Sequence, residues 1–161
     1  MPKTSHFFLL CSVLAVPFLG SSSARAFTII NQFGQCLEDR GGSTEDRTPI
    51  VNQICSGRFP QQWNWDQGSI TGIPAPAVDG SGGTFPTCLT AFGSADGTPV
   101  TLVTCHAALR GLQKWIRGFP GQIINVSLGK CLTVENSTPG TQMTVRTCNP
   151  ANGNQFWSLR S

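Results

Sequence analysis

Short alternations of apolar and polar residues recur along the chain between turn-forming residues, and no stretch between those breakers carries an apolar stripe at helical spacing. From Thr98 to Cys105, Val100 and Leu102 alternate with Thr101 and Val103; from Thr141 to Cys148, Met143 and Val145 alternate with Thr144 and Arg146. Successive side chains on a strand point to opposite faces, so a period of two predicts strands with one buried face. Gly97-Thr98-Pro99 and Pro139-Gly140 precede these strands, and Arg40-Gly41-Gly42-Ser43 holds the corresponding place upstream; all three are turn material. Glycine and proline supply 29 of the 161 residues and charged side chains only 12%. The pattern predicts an all-β chain of short strands and many turns.

The first residues differ from the rest: Lys3, an apolar stretch from Phe7 to Gly20, then Ser21-Ser22-Ser23-Ala24-Arg25-Ala26. A basic end, an apolar run of about 7 to 15 residues and an A-x-A site describe a secretory signal peptide, and the run is short of the roughly 20 residues of a membrane span. The expected division is a signal peptide over 1–26 and one domain over 27–161, a secreted, extracellular product with no membrane span after signal removal. Removal takes away Lys3 and Arg25 and leaves nine Lys and Arg against eight Asp and Glu, a net charge of +1. The remaining cations are scattered along the chain, which argues against nucleic acid as a partner, since that needs a clustered basic surface.

Cys11 lies in the leader, leaving Cys36, Cys55, Cys88, Cys105, Cys131 and Cys148, an even set suited to disulfides in an exported chain. Their separations of 19, 17 and 17 residues select the pairs Cys36-Cys55, Cys88-Cys105 and Cys131-Cys148. Each segment opens with Cys-Leu and is followed by Gln-x-Trp: Gln61-Gln62-Trp63, Gln113-Lys114-Trp115 and Gln155-Phe156-Trp157. The upstream edge repeats too, Ile29-Ile30-Asn31 matching Ile123-Ile124-Asn125. The chain is a threefold repeat, over about 27–70, 71–122 and 123–161, with an insertion of about ten residues between Asp66 and Cys88. Gln and Trp two apart on a strand share a face, so the tryptophans are expected to fill a core layer and the glutamines to bond backbone groups where strands bend.

The triple Cys-Leu…Cys…Gln-x-Trp series closely resembles the ricin B-chain type of lectin, the QxW β-trefoil family. The resemblance implies a β-trefoil with pseudo-threefold symmetry, four strands per repeat, six closing a barrel and six making a cap, and an internal disulfide in each repeat. It also implies shallow glycan pockets, one possible per repeat, and no catalysis in the domain.

A pocket of that family holds an acid two residues after the first cysteine, an aromatic plate two before the second, and an amide just before the Gln of Gln-x-Trp. The acid positions carry Glu38, Thr90 and Thr133, the plate positions Gln53, Val103 and Arg146, and the amide positions Pro60, Leu112 and Asn154. No repeat combines all three, so the sugar sites read as degenerate. The first repeat retains an acid, which points to Glu38 or Asp39 as acceptor, Gln53 and Gln61 as amides, and Phe33 or Phe59 in place of the plate; the third retains Asn154 and Gln155. Expected partners are glycans or glycoproteins.

Catalysis is not expected, because the sole histidine after the leader, His106, has no nucleophile or orienting acid placed by any motif. No cofactor is expected, and zinc would find its cysteines already paired. An alternative is a secreted trefoil that binds protein through its loops, as a protease inhibitor or defence protein, with Gly72 to Pro86 as the contact. Asn125-Val126-Ser127 and Asn136-Ser137-Thr138 are N-glycosylation triplets if the host is eukaryotic, which would make the product a glycoprotein.

Overall fold

The computed structural model describes residues 26–76 and 84–161; the leader up to Arg25 and the tip of the insertion, 77–83, lie outside them. The first repeat contributes strands β1 (Thr28–Asn31), β2 (Gln35–Asp39), β3 (Thr48–Ile54) and β4 (Asn64–Asp66). The second contributes β5 (Ser69–Thr71), β8 (Thr87–Ala91), β9 (Thr98–Thr104) and β10 (Trp115–Gly118), interrupted by a two-residue ladder of β6 (Ala75–Pro76) with β7 (Thr84–Phe85). The third contributes β11 (Gln122–Asn125), β12 (Lys130–Thr133), β13 (Thr144–Thr147) and β14 (Trp157–Arg160). Helical structure among the described residues is confined to four short 3-10 turns, and none is long and apolar enough to cross a membrane.

The last strand of each repeat pairs antiparallel with the first strand of the next: β4 with β5, β10 with β11, and β14 with β1. Backbone bonds between Phe27 and Trp63, from Trp115 N–H to Gly68 O and from Trp157 N–H to Gly121 O join these three ribbons into a ring of six strands. Apart from the β6–β7 ladder, the remaining six form three hairpins, β2–β3, β8–β9 and β12–β13, that cap one end. The cap is tied around the pseudo-threefold axis by Met143 N–H donating to Ile50 O at 2.7 Å and Val100 N–H donating to Met143 O at 2.9 Å. Those bonds explain why β13 begins only at Thr144 rather than at the predicted Thr141: Gln142 and Met143 face the neighbouring hairpins instead of their own.

The core repeats with the chain. Ile29, Ile70 and Ile123 from the first strands, Leu37, Leu89 and Leu132 beside the cysteines, and Trp63, Trp115 and Trp157 share one interior. A single repeat would leave this apolar set half covered and its sheet edges open, so the three depend on one another. Cys36 pairs with Cys55, Cys88 with Cys105 and Cys131 with Cys148. Each bridge closes one hairpin and contributes on the order of 3 kcal/mol by loop entropy.

Candidate functional site

In every repeat the Gln-x-Trp segment locks a hairpin to the barrel through the same bonds. Trp63, Trp115 and Trp157 donate Nε1–H to the carbonyls of Leu37, Leu89 and Leu132 at 3.0, 2.9 and 3.0 Å. Gln61, Gln113 and Gln155, all buried, donate Nε2–H to the carbonyls of Ile54, Thr104 and Thr147 at 2.9, 3.1 and 2.9 Å. Their Oε1 atoms accept from the backbone N–H of Ser56, His106 and Asn149 at 2.8, 3.0 and 2.8 Å. Each glutamine thereby satisfies the two backbone groups that a strand leaves unpaired where it turns after its second cysteine.

The second Nε2 hydrogen separates the repeats. Gln113 and Gln155 give theirs to the hydroxyls of Thr90 (3.1 Å) and Thr133 (3.3 Å), which in turn donate to the carbonyls of Cys88 and Cys131. Gln61 instead donates to the Glu38 carboxylate, Nε2 to Oε2 at 2.7 Å. Glu38 is half-buried, and the bond fixes one of its oxygens while the other is not taken up by any protein donor among the described residues. Gln53 lies diagonally across the hairpin on the same face, since Glu38 is opposite Val51 and Cys36 opposite Gln53; its Oε1 accepts the Ile54 N–H at 3.0 Å, leaving the amide hydrogens outward. Glu38, Gln53 and Gln61 are thus gathered on one face. An ionised carboxylate held there accepts hydrogen bonds from two neighbouring hydroxyls, with an amide beside it to donate.

Asp39 is corrected by the structure. It follows Glu38 on the strand, so it points to the opposite face, and it has no exposed surface. Neither carboxylate oxygen has a hydrogen-bond partner. Burial, and next the negative charge of Glu38, push its carboxyl up from an ordinary 3.8 to about 7; the Gly42 backbone N–H, near but outside hydrogen-bonding geometry, acts the other way without reversing it. It cannot reach a ligand from there. Asn52 shares that inward face, and its Oδ1 also lacks a donor. Its amide hydrogens serve Gln35 Oε1 at 2.7 Å and the Asn136 carbonyl at 3.0 Å. The repeat itself carried the missed signal: Ala91 and Val134 stand where Asp39 does, Leu102 and Val145 where Asn52 does, and all four are buried.

The other candidates are committed elsewhere. Asn154 accepts from the Gln32 amide and Gln155 also accepts from Gln122 Nε2 at 3.1 Å, so the third repeat gathers amides without an acid at the family's position. Its plate position, Arg146, donates Nε–H to Glu135 Oε1 at 2.8 Å and a guanidinium N–H to Oε2 at 2.9 Å. Burial acts to raise the Glu135 carboxyl, but the Arg146 hydrogen bonds and charge and the Thr144 hydroxyl outweigh it and hold the group below its usual range; hydrogen bonding to Glu135 raises Arg146 in return. Phe33 is half-exposed at the turn after β1. Phe59, 72% exposed, lines a cavity of about 290 Å³ with Gln62, Asn64 and Thr71, which Glu38 and Gln53 do not line. Asn125 is also corrected as a glycan acceptor: it is fully buried, donating to Leu112 O at 2.9 Å and accepting from Leu128 N–H at 3.1 Å. Asn136 is exposed.

Residues 25–157 match the ricin-type β-trefoil lectin domain model. The chain belongs to that family. Nigrin b from Sambucus nigra is 28% identical over 101 residues, 63% of this chain and 16% of its own length. The agglutinin from Abrus precatorius superposes with a TM-score of 0.71 at 23% identity, covering 94% of this chain and 51% of its own. A non-toxic homologue of type II RIPs from Momordica charantia, solved with α-methyl-D-galactoside, gives 0.71 at 23% identity over 84% of this chain and 47% of its own. The match therefore spans about a sixth of nigrin b, and this chain about half the length of the two solved chains; the resemblance in structure is one of fold.

Proposed function

We propose that residues 27–161 form a secreted, non-catalytic carbohydrate-binding domain that takes glycans or glycoproteins at the first repeat, with residues 1–26 removed on export. The observation that carries this reading is the Glu38 carboxylate, standing at the family's acid position and oriented by the Gln61 amide at 2.7 Å. Galactosides are the first ligands to test, because the Momordica homologue was solved with one. Glu38 accepts from two ring hydroxyls, Gln53 donates to a third, and Gln61 holds Glu38 in place. The second and third repeats replace the acid with Thr90 and Thr133, whose hydroxyls are already bonded within the protein, so the family's three sites reduce here to one.

A glycan array on the oxidised domain tests this. Galactosides are expected to be retained, and Glu38→Gln, which keeps the shape and removes the charge, is expected to weaken retention about tenfold or more, the worth of a charged hydrogen bond. Silence towards every neutral glycan, or retention indifferent to Glu38→Gln, overturns the first-repeat site.

A further inference from the structure

The second repeat holds a different concavity. A cavity of about 190 Å³ opens over the Cys88–Cys105 bridge, walled by Ser69, His106, Arg110 and Lys114. Three residues of cationic or donor chemistry converge on it and no carboxylate lines it. Of the seven other cations after the leader, Lys130 pairs with Asp96 and Arg146 with Glu135, both at 2.8 Å, and Arg47 lies over the Phe92 ring at 4.6 Å, while Arg40, Arg58, Arg117 and Arg160 line no such cavity. Among the described residues neither Arg110 nor Lys114 has an acidic partner.

The local bonds leave each of the three with a hydrogen to give. His106 Nδ1 accepts the Ala108 N–H at 3.1 Å, so a neutral ring carries its proton on Nε2. Lys114 Nζ donates to Gln67 O at 2.6 Å and to Ser69 Oγ at 3.0 Å, which holds the ammonium in place and leaves it a third hydrogen. The Arg110 side chain makes no hydrogen bond among the described residues. The corresponding positions are Ser56, Arg58 and Gln62 in the first repeat and Asn149, Asn152 and Phe156 in the third. Only the second repeat assembles the set.

We propose that the second repeat carries an oxyanion pocket in which His106, Arg110 and Lys114 hold the sulfate or carboxylate group of an acidic saccharide. Such a group presents two or three oxygens to donors arriving from separate elements, the turn after β9 and the start of β10. The planar guanidinium of Arg110 suits it better than a point charge would. The volume is below the roughly 300 Å³ of a pocket for a whole drug-sized ligand, which fits one charged substituent and the edge of its ring. The inference rests on the carbohydrate-binding reading, but uses a different repeat and a different ligand charge.

The test uses the oxidised domain with a heparin hexasaccharide, a hyaluronan hexasaccharide and a neutral galactoside, at low and physiological salt. The heparin fragment is expected to bind, with affinity falling as salt screens the charges. Arg110→Glu is expected to weaken it at least tenfold, since that exposed side chain supports nothing in the fold. Lys114→Ala is expected to do the same, with a small fall in melting temperature from the lost bonds to Gln67 O and Ser69 Oγ, and Arg117→Glu, at an exposed position of β10, to change it less than twofold. Binding of both acidic fragments assigns the pocket to either anion; binding of heparin alone assigns it to sulfate. Equal losses for Arg110→Glu and Arg117→Glu overturn the pocket in favour of general charge. Retention of the galactoside without either acidic fragment overturns this inference alone, and retention of an acidic fragment without the galactoside overturns the Glu38 site alone.

Discussion

The inward faces of the first and third hairpins differ in polarity at half their positions on the same backbone. The third packs Leu132, Val134, Met143 and Val145; the first packs Leu37, Asp39, Ile50 and Asn52. The second, with Leu89, Ala91, Val100 and Leu102, sides with the third. Bridges, tryptophans and glutamines are the same in all three, so the frame tolerates a buried acid and amide that it does not need. Three buried oxygens lack a donor in the first hairpin, Asp39 Oδ1 and Oδ2 and Asn52 Oδ1, and an unmet buried acceptor costs about 1–3 kcal/mol. That deficit lies directly behind Glu38, on the other face of the same strand. Among the described residues, the hairpin that presents the candidate acceptor therefore holds more unpartnered buried oxygens than either of the others.

Transplanting the difference should produce the largest effect. Val134→Asp places a carboxyl in the third hairpin with Val145 where Asn52 would be, and is expected to cost on the order of 3 kcal/mol or more in chemical denaturation. Adding Val145→Asn to it should cost less than the sum of the two single changes if acid and amide act as a unit; strict additivity would show that they do not.

Erasing the difference should give a smaller, opposite change. Unfolded, Asp39 ionises near 3.8; folded, near 7. Between those values the folded chain keeps a proton that the unfolded chain has released, so the residue's contribution is complete below about pH 4 and is lost as the pH rises through 7. Asp39→Val is expected to raise stability by about 1–3 kcal/mol at pH 8 and far less at pH 4. The quantity to measure is the difference in melting temperature between wild type and variant against pH; a flat difference would refute the assignment.

The smallest effect belongs to the third hairpin's outer face. Arg146→Ala removes a partly exposed ion pair with Glu135 and should cost at most about 1 kcal/mol, shrinking in high salt.

Much of the frame was legible because its parts are stamped three times into the sequence. Cys36 to Cys148 fix the hairpins, and Gln-x-Trp fixes where each rejoins the barrel; a pattern that recurs at one spacing needs no structure to be seen. The candidate site was less so. Glu38 and Asp39 read as a pair of acids, whereas neighbours on a strand face opposite ways, and only lining Asp39 up with Ala91 and Val134 shows which one turns inward. Asn125 reads as a sequon, but its side chain closes the turn to Leu128 as Asn31 closes that to Gln35, with Asn31 Oδ1 accepting at 3.0 Å. His106, Arg110 and Lys114 are spread over a 3-10 turn and the approach to a strand, so no sequence period brings them together.

The pairing of β14 with β1 sets Thr28 opposite Arg160, which makes the domain a ring with neither a first nor a last sector. A circularly permuted gene that joins residue 160 to residue 27 by a short linker, and opens between Gly118 and Gln122, should rebuild the same barrel with every intra-sector cross-link intact. It also means that a neighbouring polypeptide fused at either end would emerge from one seam.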